Sequence, residues 1–585
     1  MPRSQEKRYE LMKVALGEAE ADLAIINGSV VNVYNREVEQ ASVLTKGNRI
    51  AYVGSDTGKA IGPSTRVIDA NGKTLIPGLI DGHTHIDGPY SISGILRYAI
   101  AGGTTTIITE VSDLGSVLGY EGVIQFLASI KKQPVKVFIT VPPVVTISPV
   151  TEEQAITVDQ LRRLLRRKDV LGLGEVYWGD VVNGNQRILD LITETVRQGK
   201  KVEGHSAGAS GSKLQAYVSS GVSSCHEPIT AEEVRERVRL GLFILVREGA
   251  VRRELEAISQ LKDDDAVLNR LAISTDGVAP EQLISDGYME FVVQKAINLG
   301  FKPIRAIQMA TVNVARHFAI DDDIGGIAPG KYADIAIIPN LKTVKAEYVI
   351  SNGRVVSQNG QVLVPPRKHH YPRWLRDTIH LARDFTADDF AIPLEGRRQA
   401  KVRLINQVTD LVTREEFIDM PATDGQLKAD ASKDIIKVAA IERAYGTGQS
   451  FTGLIRGLGL KKGAMATTDV WDCGDIIAVG ADEADMAQAV NRIKELRGGV
   501  AVCAGGSILA EIAFPVAGTI STEPIETIAD KFQRIQQTAA GLGAKSTNFG
   551  LTLATLPSPA IPFLRICSSG LFNLKSNRFV DLTVG

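Results

Sequence analysis

The chain holds only eight histidines in 585 residues. Four of them, His83, His85, His205 and His226, stand where apolar, strand-like runs end. Imidazole is the commonest metal ligand and the side chain whose proton moves near neutral pH, so four such residues at strand ends invite a metal site. At His83-Thr84-His85 an extended backbone would put both rings on one face, because strand side chains repeat with period two. Both rings could then reach one ion; a pair of ordinary polar loop histidines is the other reading of that spacing. Cysteine gives no parallel signal. Cys225, Cys473, Cys503 and Cys567 lack CxxC spacing, which argues against a thiolate zinc site and a disulfide framework and fits a reducing cytoplasm.

The histidines need a scaffold, and the pattern supplies one. Between residues 75 and 276 eight strand-like runs (LIPGLIDGH, TTTIITE, VKVFITV, VLGLGEV, KKVEGH, VSSCHE, LFILVRE and RLAISTD) alternate with helix-like stretches, the cue for parallel βαβ units. In RILDLITETVRQ, Ile188, Leu191, Ile192 and Val196 are expected to form the face that covers the sheet. Eight units in about 250 residues point to a (β/α)8 TIM-type barrel, whose active sites lie at the C-terminal ends of the strands. Short β-branched runs with NG, GN and GS turns occur from residue 22 and again over 331 to 356, where VISNGRVV echoes IINGSVV. They read as two halves of one small β-sandwich. The expected organisation is therefore 1–75 with 326–363 as a composite β-sandwich, 76–325 as the barrel and 364–391 as a Pro- and Arg-rich linker. Residues 392–585 complete it as a separate α/β or α+β domain. His369 and His370 fall in the linker and are read as bystanders.

Composition narrows the partner. Sixty-six Lys and Arg oppose 67 Asp and Glu for a net charge of −1, so no basic excess calls for nucleic acid or an anionic membrane. The N-terminus is charged where a secretory signal is apolar, and no uncharged apolar run is long enough to span a bilayer. A small molecule is the expected partner.

The setting of the first histidine pair, Pro77-Gly78-Leu79-Ile80-Asp81-Gly82-His83-Thr84-His85, resembles the strand-one motif of the amidohydrolase superfamily. These are metal-dependent barrel hydrolases whose terminal segments jointly form a small β-sandwich. The resemblance implies further ligands. Glu175, in Gly174-Glu175-Val176, matches the carboxylate that bridges two metals; His205 and His226 match the histidines of the second metal. Asp276, in Ser274-Thr275-Asp276-Gly277, matches the aspartate that serves as ligand and proton carrier. Two divalent ions sharing a carboxylate would activate water at neutral pH and polarise a substrate together. Imidazole and carboxylate suit zinc, iron and manganese alike; the resemblance implies Mn2+ or Fe2+, with Zn2+ also compatible.

The C-terminal region narrows the family further. The stretch from Lys461 through ILAEIAFPVAGTISTEP is similar to the extra domain of bacterial adenine deaminases, as are GTTTIITEVSDLGSVLG and Leu173-Gly174-Glu175-Val176. The implied reaction is hydrolysis of adenine, or a purine-like relative, to hypoxanthine and ammonia, with Glu175 and Asp276 as the catalytic acids. The implied assembly is a homodimer or homotetramer. Three segments depart from the family pattern: Ile86-Asp87-Gly88-Pro89 replaces IESS, Glu110-Val111-Ser112-Asp113 replaces DPHE, and Val470-Trp471-Asp472-Cys473-Gly474-Asp475 replaces AHDSHN. Asp87, Glu110, Asp113, Arg247, Trp471 and Asp472 are accordingly the candidate substrate contacts. Hydrolysis of a cyclic amide or imide, and a non-enzymatic scaffold, are the alternatives to deamination.

Overall fold

A computed structural model describes residues 3–394 and 396–584. The eight expected strands all form: β1 (Leu79–His85), β2 (Thr104–Glu110), β3 (Lys136–Val141), β4 (Val170–Tyr177), β5 (Lys201–His205), β6 (Ser224–Cys225), β7 (Phe243–Arg247) and β8 (Leu271–Ser274). Parallel hydrogen bonding runs in order from β1 to β5 and from β6 to β8. β5 lies beside β6 and β8 beside β1, which closes the barrel. Ile80, Ile108, Leu171, Phe243, Leu245 and Ala272 fill its interior, as packed layers of apolar side chains do in such barrels.

Helices between the strands seal the outside. Over Gln186–Arg197 the buried face is Ile188, Leu191, Ile192 and Thr195, whereas Val196, expected in that face, is 50% exposed. Seven residues after Ile188 the helix has turned back to within about 20° of the same direction, and one residue more carries it a further 100° away.

The β-rich segments on either side of the barrel share one nine-stranded sheet, joined where Thr74–Pro77 pairs antiparallel with Ile335–Ile338. The two NG echoes do different work within it. Asn27-Gly28 makes a bulge inside the strand Leu23–Asn32, while Asn352-Gly353 turns the hairpin between Tyr348–Ser351 and Arg354–Gln358. Both asparagines adopt left-handed backbone, which Asn tolerates better than most residues.

Residues beyond the barrel first run along it: Arg367 caps the carbonyls of Ala128, Ser129 and Lys131. The chain then enters a second nine-stranded sheet whose central strands, Ile435–Ile441, Ile476–Gly480, Ala464–Thr467 and Gly499–Ala504, are antiparallel neighbours. Helices Glu483–Leu496 and Ile525–Gly541 pack on this sheet. Among the described residues no helix is long and apolar enough to cross a membrane.

Candidate metal centre and its cavity

The barrel mouth is built before any ligand reaches it. Asp81, buried in β1, accepts hydrogen bonds from the Thr275 backbone N–H (3.2 Å) and hydroxyl (2.6 Å), so the ends of β1 and β8 are tied together. Pairing of β1 with β2 slips between Asp81 and Thr84, a bulge of the kind that re-aims side chains beside active sites. On β4, Gly174 leaves room for a neighbour: a Cβ there would lie 2.0 Å from Glu110 Oε2.

Six side chains converge at this mouth. Glu175 sits at the centre, with Oε1 3.1 Å from His85 Nε2, 3.2 Å from His83 Nε2 and 3.7 Å from His226 Nε2. Its Oε2 lies 3.2 Å from His205 Nδ1. One carboxylate thus touches all four imidazoles. Asp276 Oδ1 lies 3.1 Å from His83 Nε2 and 3.6 Å from His85 Nε2. Ligand atoms of His83, Glu175, His226 and Asp276 fall within 4.8 Å of one another, and so do those of His205, His226 and Glu227. Imidazole nitrogens and carboxylate oxygens gathered this closely are a donor set that fits a divalent transition metal.

The local field is arranged for positive charge. Burial opposes charge on His83, yet contacts with Asp276 and Glu175 override it and push the ring's pKa up to about 10. Burial likewise opposes ionisation of Glu175, but the neighbouring imidazoles hold its carboxyl well below the usual range. Asp276 is held down in the same way against its own burial, by the His83 and His85 contacts and the Arg247 charge.

A cavity of about 650 Å³ opens above the cluster, walled on one side by the barrel rim and on the other by the C-terminal domain through Asp469, Trp471, Asp472, Phe532, Gln536 and Asn548.

Comparison with known proteins follows the same division. The amidohydrolase family model matches residues 74–356, and the adenine deaminase C-terminal domain model matches residues 410–578. An adenine deaminase from Dehalococcoides mccartyi is 36% identical over 98% of this chain and 99% of its own. Proteins of the same name from Moorella thermoacetica and Clostridium botulinum are 35% and 33% identical over 99% and 98% of this chain, and 98% and 97% of theirs. The chain belongs to the adenine deaminase family.

Within this adenine deaminase fold the remaining candidates divide. Glu110, Asp113, Trp471 and Asp472 line the cavity. Asp87 does not: it is 1% exposed and lies behind the wall, where Oδ2 accepts the Leu114 backbone N–H at 2.9 Å near the start of helix Ser112–Ser129. A carboxylate near a helix N-terminus meets the unpaired donors there, which explains an acid at this position without a substrate. Arg247 reaches the cavity, but its guanidinium is engaged by acids: it grips Glu227, donates to Glu254 (3.0 Å) and reaches Asp276 Oδ2 at 3.4 Å. It buttresses the cluster and has no free arm to extend.

Glu227 is the acid that sequence reading passed over. Its Oε1 lies 3.2 Å from His226 Nε2 and 3.5 Å from His205 Nδ1, and Arg247 fixes it from behind. The Cys225-His226-Glu227 string contained the signal, an acid directly after a ligand histidine; adjacent residues of a regular strand face opposite ways, but β6 ends at Cys225 and that rule lapses there.

Proposed function

We propose that the protein hydrolyses adenine to hypoxanthine and ammonia, using a pair of divalent ions, Mn2+ or Fe2+, held by His83, His85, Glu175, His205, His226 and Asp276. The observation that carries this reading is Glu175 in contact with all four imidazoles, beneath a cavity large enough for a purine. The near full-length likeness to proteins named adenine deaminase supports the choice of substrate.

Bound ions of this class lower the pKa of water toward neutrality and polarise the substrate. Asp276 stands between the histidines and the cavity, with one oxygen against His83 and the other toward Arg247. In that position it takes the proton of the attacking water as a C6–O bond forms, and returns it to N6 as the C6–N6 bond breaks and ammonia leaves. Glu227 and Arg247 keep His205, His226 and Asp276 in register during the transfer. Arg247 is the only Lys or Arg of the cavity wall among the described residues, and it is already engaged by acids. A phosphate would find no free cation, so the wall suits the base over its nucleotide. The four cysteines are all free and buried, in keeping with a cytoplasmic enzyme, and a homodimer or homotetramer is the working form we propose.

Ammonia release from adenine by manganese-loaded protein, before and after chelation, tests the reading. Turnover that vanishes with chelator and returns with Mn2+ is the expected result. No ammonia from adenine or other aminopurines, with acid formed from cyclic amides, would overturn it.

A further inference from the structure

The C-terminal domain touches the barrel site at a point that the proposed chemistry does not use. Tyr177 ends β4, two residues beyond Glu175 and therefore on the same face of the strand. Its ring packs edge-on against the His205 imidazole, with centroids 4.8 Å apart and planes at 61°. Its hydroxyl leaves the barrel and donates to Asp472 Oδ1 at 2.9 Å. The other oxygen, Asp472 Oδ2, accepts the Ser558 hydroxyl at 2.5 Å. Both oxygens of this C-terminal carboxylate are thus occupied by protein donors, and one of those donors braces a candidate metal ligand.

The segment that presents Asp472 is clamped along its length. Trp471 N–H donates to the Ala554 carbonyl (2.9 Å), Gly474 N–H to the Thr151 hydroxyl (3.0 Å), and Arg443 Nε to the Gly474 carbonyl (2.7 Å). Asp475 Oδ2 accepts the Ser568 N–H at 2.7 Å. Asp472 itself sits at φ +59°, a left-handed conformation that persists only where surrounding contacts impose it. Four tethers hold a strained backbone so that one carboxylate meets one phenol.

His205 meets Glu175 and Glu227 through Nδ1, contacts that restrain the ring at one edge, and the His226 ring lies 5.1 Å away at 78°. The buried Tyr177 ring adds a further restraint, and the bond to Asp472 fixes where its hydroxyl end lies. Outer contacts of this kind orient metal ligands and typically carry about 10- to 100-fold in metal affinity or activity.

We propose that Asp472 is a positioning residue through which the C-terminal domain sets the orientation of His205, acting by way of the Tyr177 hydroxyl. The inference rests on the reading that this cluster binds divalent ions, and it is tested by Mn2+ affinity as well as by turnover. Full-length wild type, Tyr177→Phe, Asp472→Ala, Asp472→Asn and the double variant Tyr177→Phe/Asp472→Ala are titrated with Mn2+ and assayed for kcat and KM. Tyr177→Phe and Asp472→Ala should each weaken Mn2+ binding about ten-fold and lower kcat with little change in KM. The double variant should be no worse than either alone. Asp472→Asn, which keeps an oxygen for the Tyr177 hydroxyl, should recover most of the loss.

Multiplying losses in the double variant, or a change in KM alone, would overturn the proposal. Tyr177→Phe removes a single oxygen and decides the matter if Asp472→Ala does not fold: wild-type Mn2+ affinity and kcat in that variant refute the coupling. A wild type that binds Mn2+ but leaves adenine intact would sink the deaminase reading while the affinity series still reports on Asp472.

Discussion

The two ends of the cavity are built on opposite terms. At the barrel mouth the three acids of the cluster have partners of opposite character: Glu175 meets four imidazoles, Asp276 meets His83 and Arg247, and Glu227 lies between His226 and Arg247. Toward the C-terminal domain Asp472 is satisfied by Tyr177 and Ser558, but two other acids face space. Asp113 and Asp469 come from different domains, line the same cavity and lack side-chain hydrogen bonds among the described contacts. Burial raises the Asp113 carboxyl well above its ordinary range, and the charges of Asp87 and Asp469 raise it further. Burial alone pushes Asp469 up to about 6. Chemistry is placed where electrostatics are settled within the protein, and recognition where they await a ligand.

Substitutions at the settled end should have the larger effects and should act on turnover or metal. Asp276→Asn keeps size and shape but cannot carry the proton, and should lower kcat by about 10² to 10⁴ while Mn2+ stoichiometry, read by elemental analysis, stays near that of the wild type. Near-normal turnover would remove Asp276 from the proton path. Glu227→Gln is the next test. The amide retains hydrogen bonding but not charge, so His205 and His226 lose their shared counterion and Arg247 loses one of its acids. Mn2+ affinity should fall about ten-fold, with kcat following it; unchanged affinity in a calorimetric titration would make Glu227 a bystander of the cluster.

The same division governs what could be read from sequence. The settled end was legible because strand ends carry their own marks. Apolar runs stop at His83, His205 and His226, and barrel geometry gathers such ends at one mouth whatever the distance between them in the chain. Other features have no local cause. Asp87 looked like a substrate contact because its segment departs from the family pattern, and only the packing of helix Ser112–Ser129 makes it a backbone acceptor. Tyr177 and Asp472 lie 295 residues apart, so nothing in either neighbourhood predicts their pairing. Val196 shows the limit within one helix, where a single position of phase separates a buried face from an exposed one.

The smallest expected effect is the one that tests the open end most directly. In the unfolded chain Asp469 titrates near 3.8, and in the folded protein near 6. Between those values the native state binds more protons than the unfolded state, so stability falls as pH rises through the interval, and the penalty is complete above it. Asp469→Asn removes the group. Its melting temperature should match the wild type near pH 3.5, gain on it progressively toward pH 6, and keep a constant advantage above that, corresponding to no more than about 3 kcal/mol. Thermal denaturation of both metal-free proteins across this range measures the difference directly. A difference that stays flat with pH would mean that the Asp469 carboxylate is as well compensated as Glu175, and the contrast between the two ends would fail. If the expected profile is found, a ligand that donates hydrogen bonds to this end should narrow the gap, because the wild type gains a partner for its carboxylate that the asparagine variant has no charge to match.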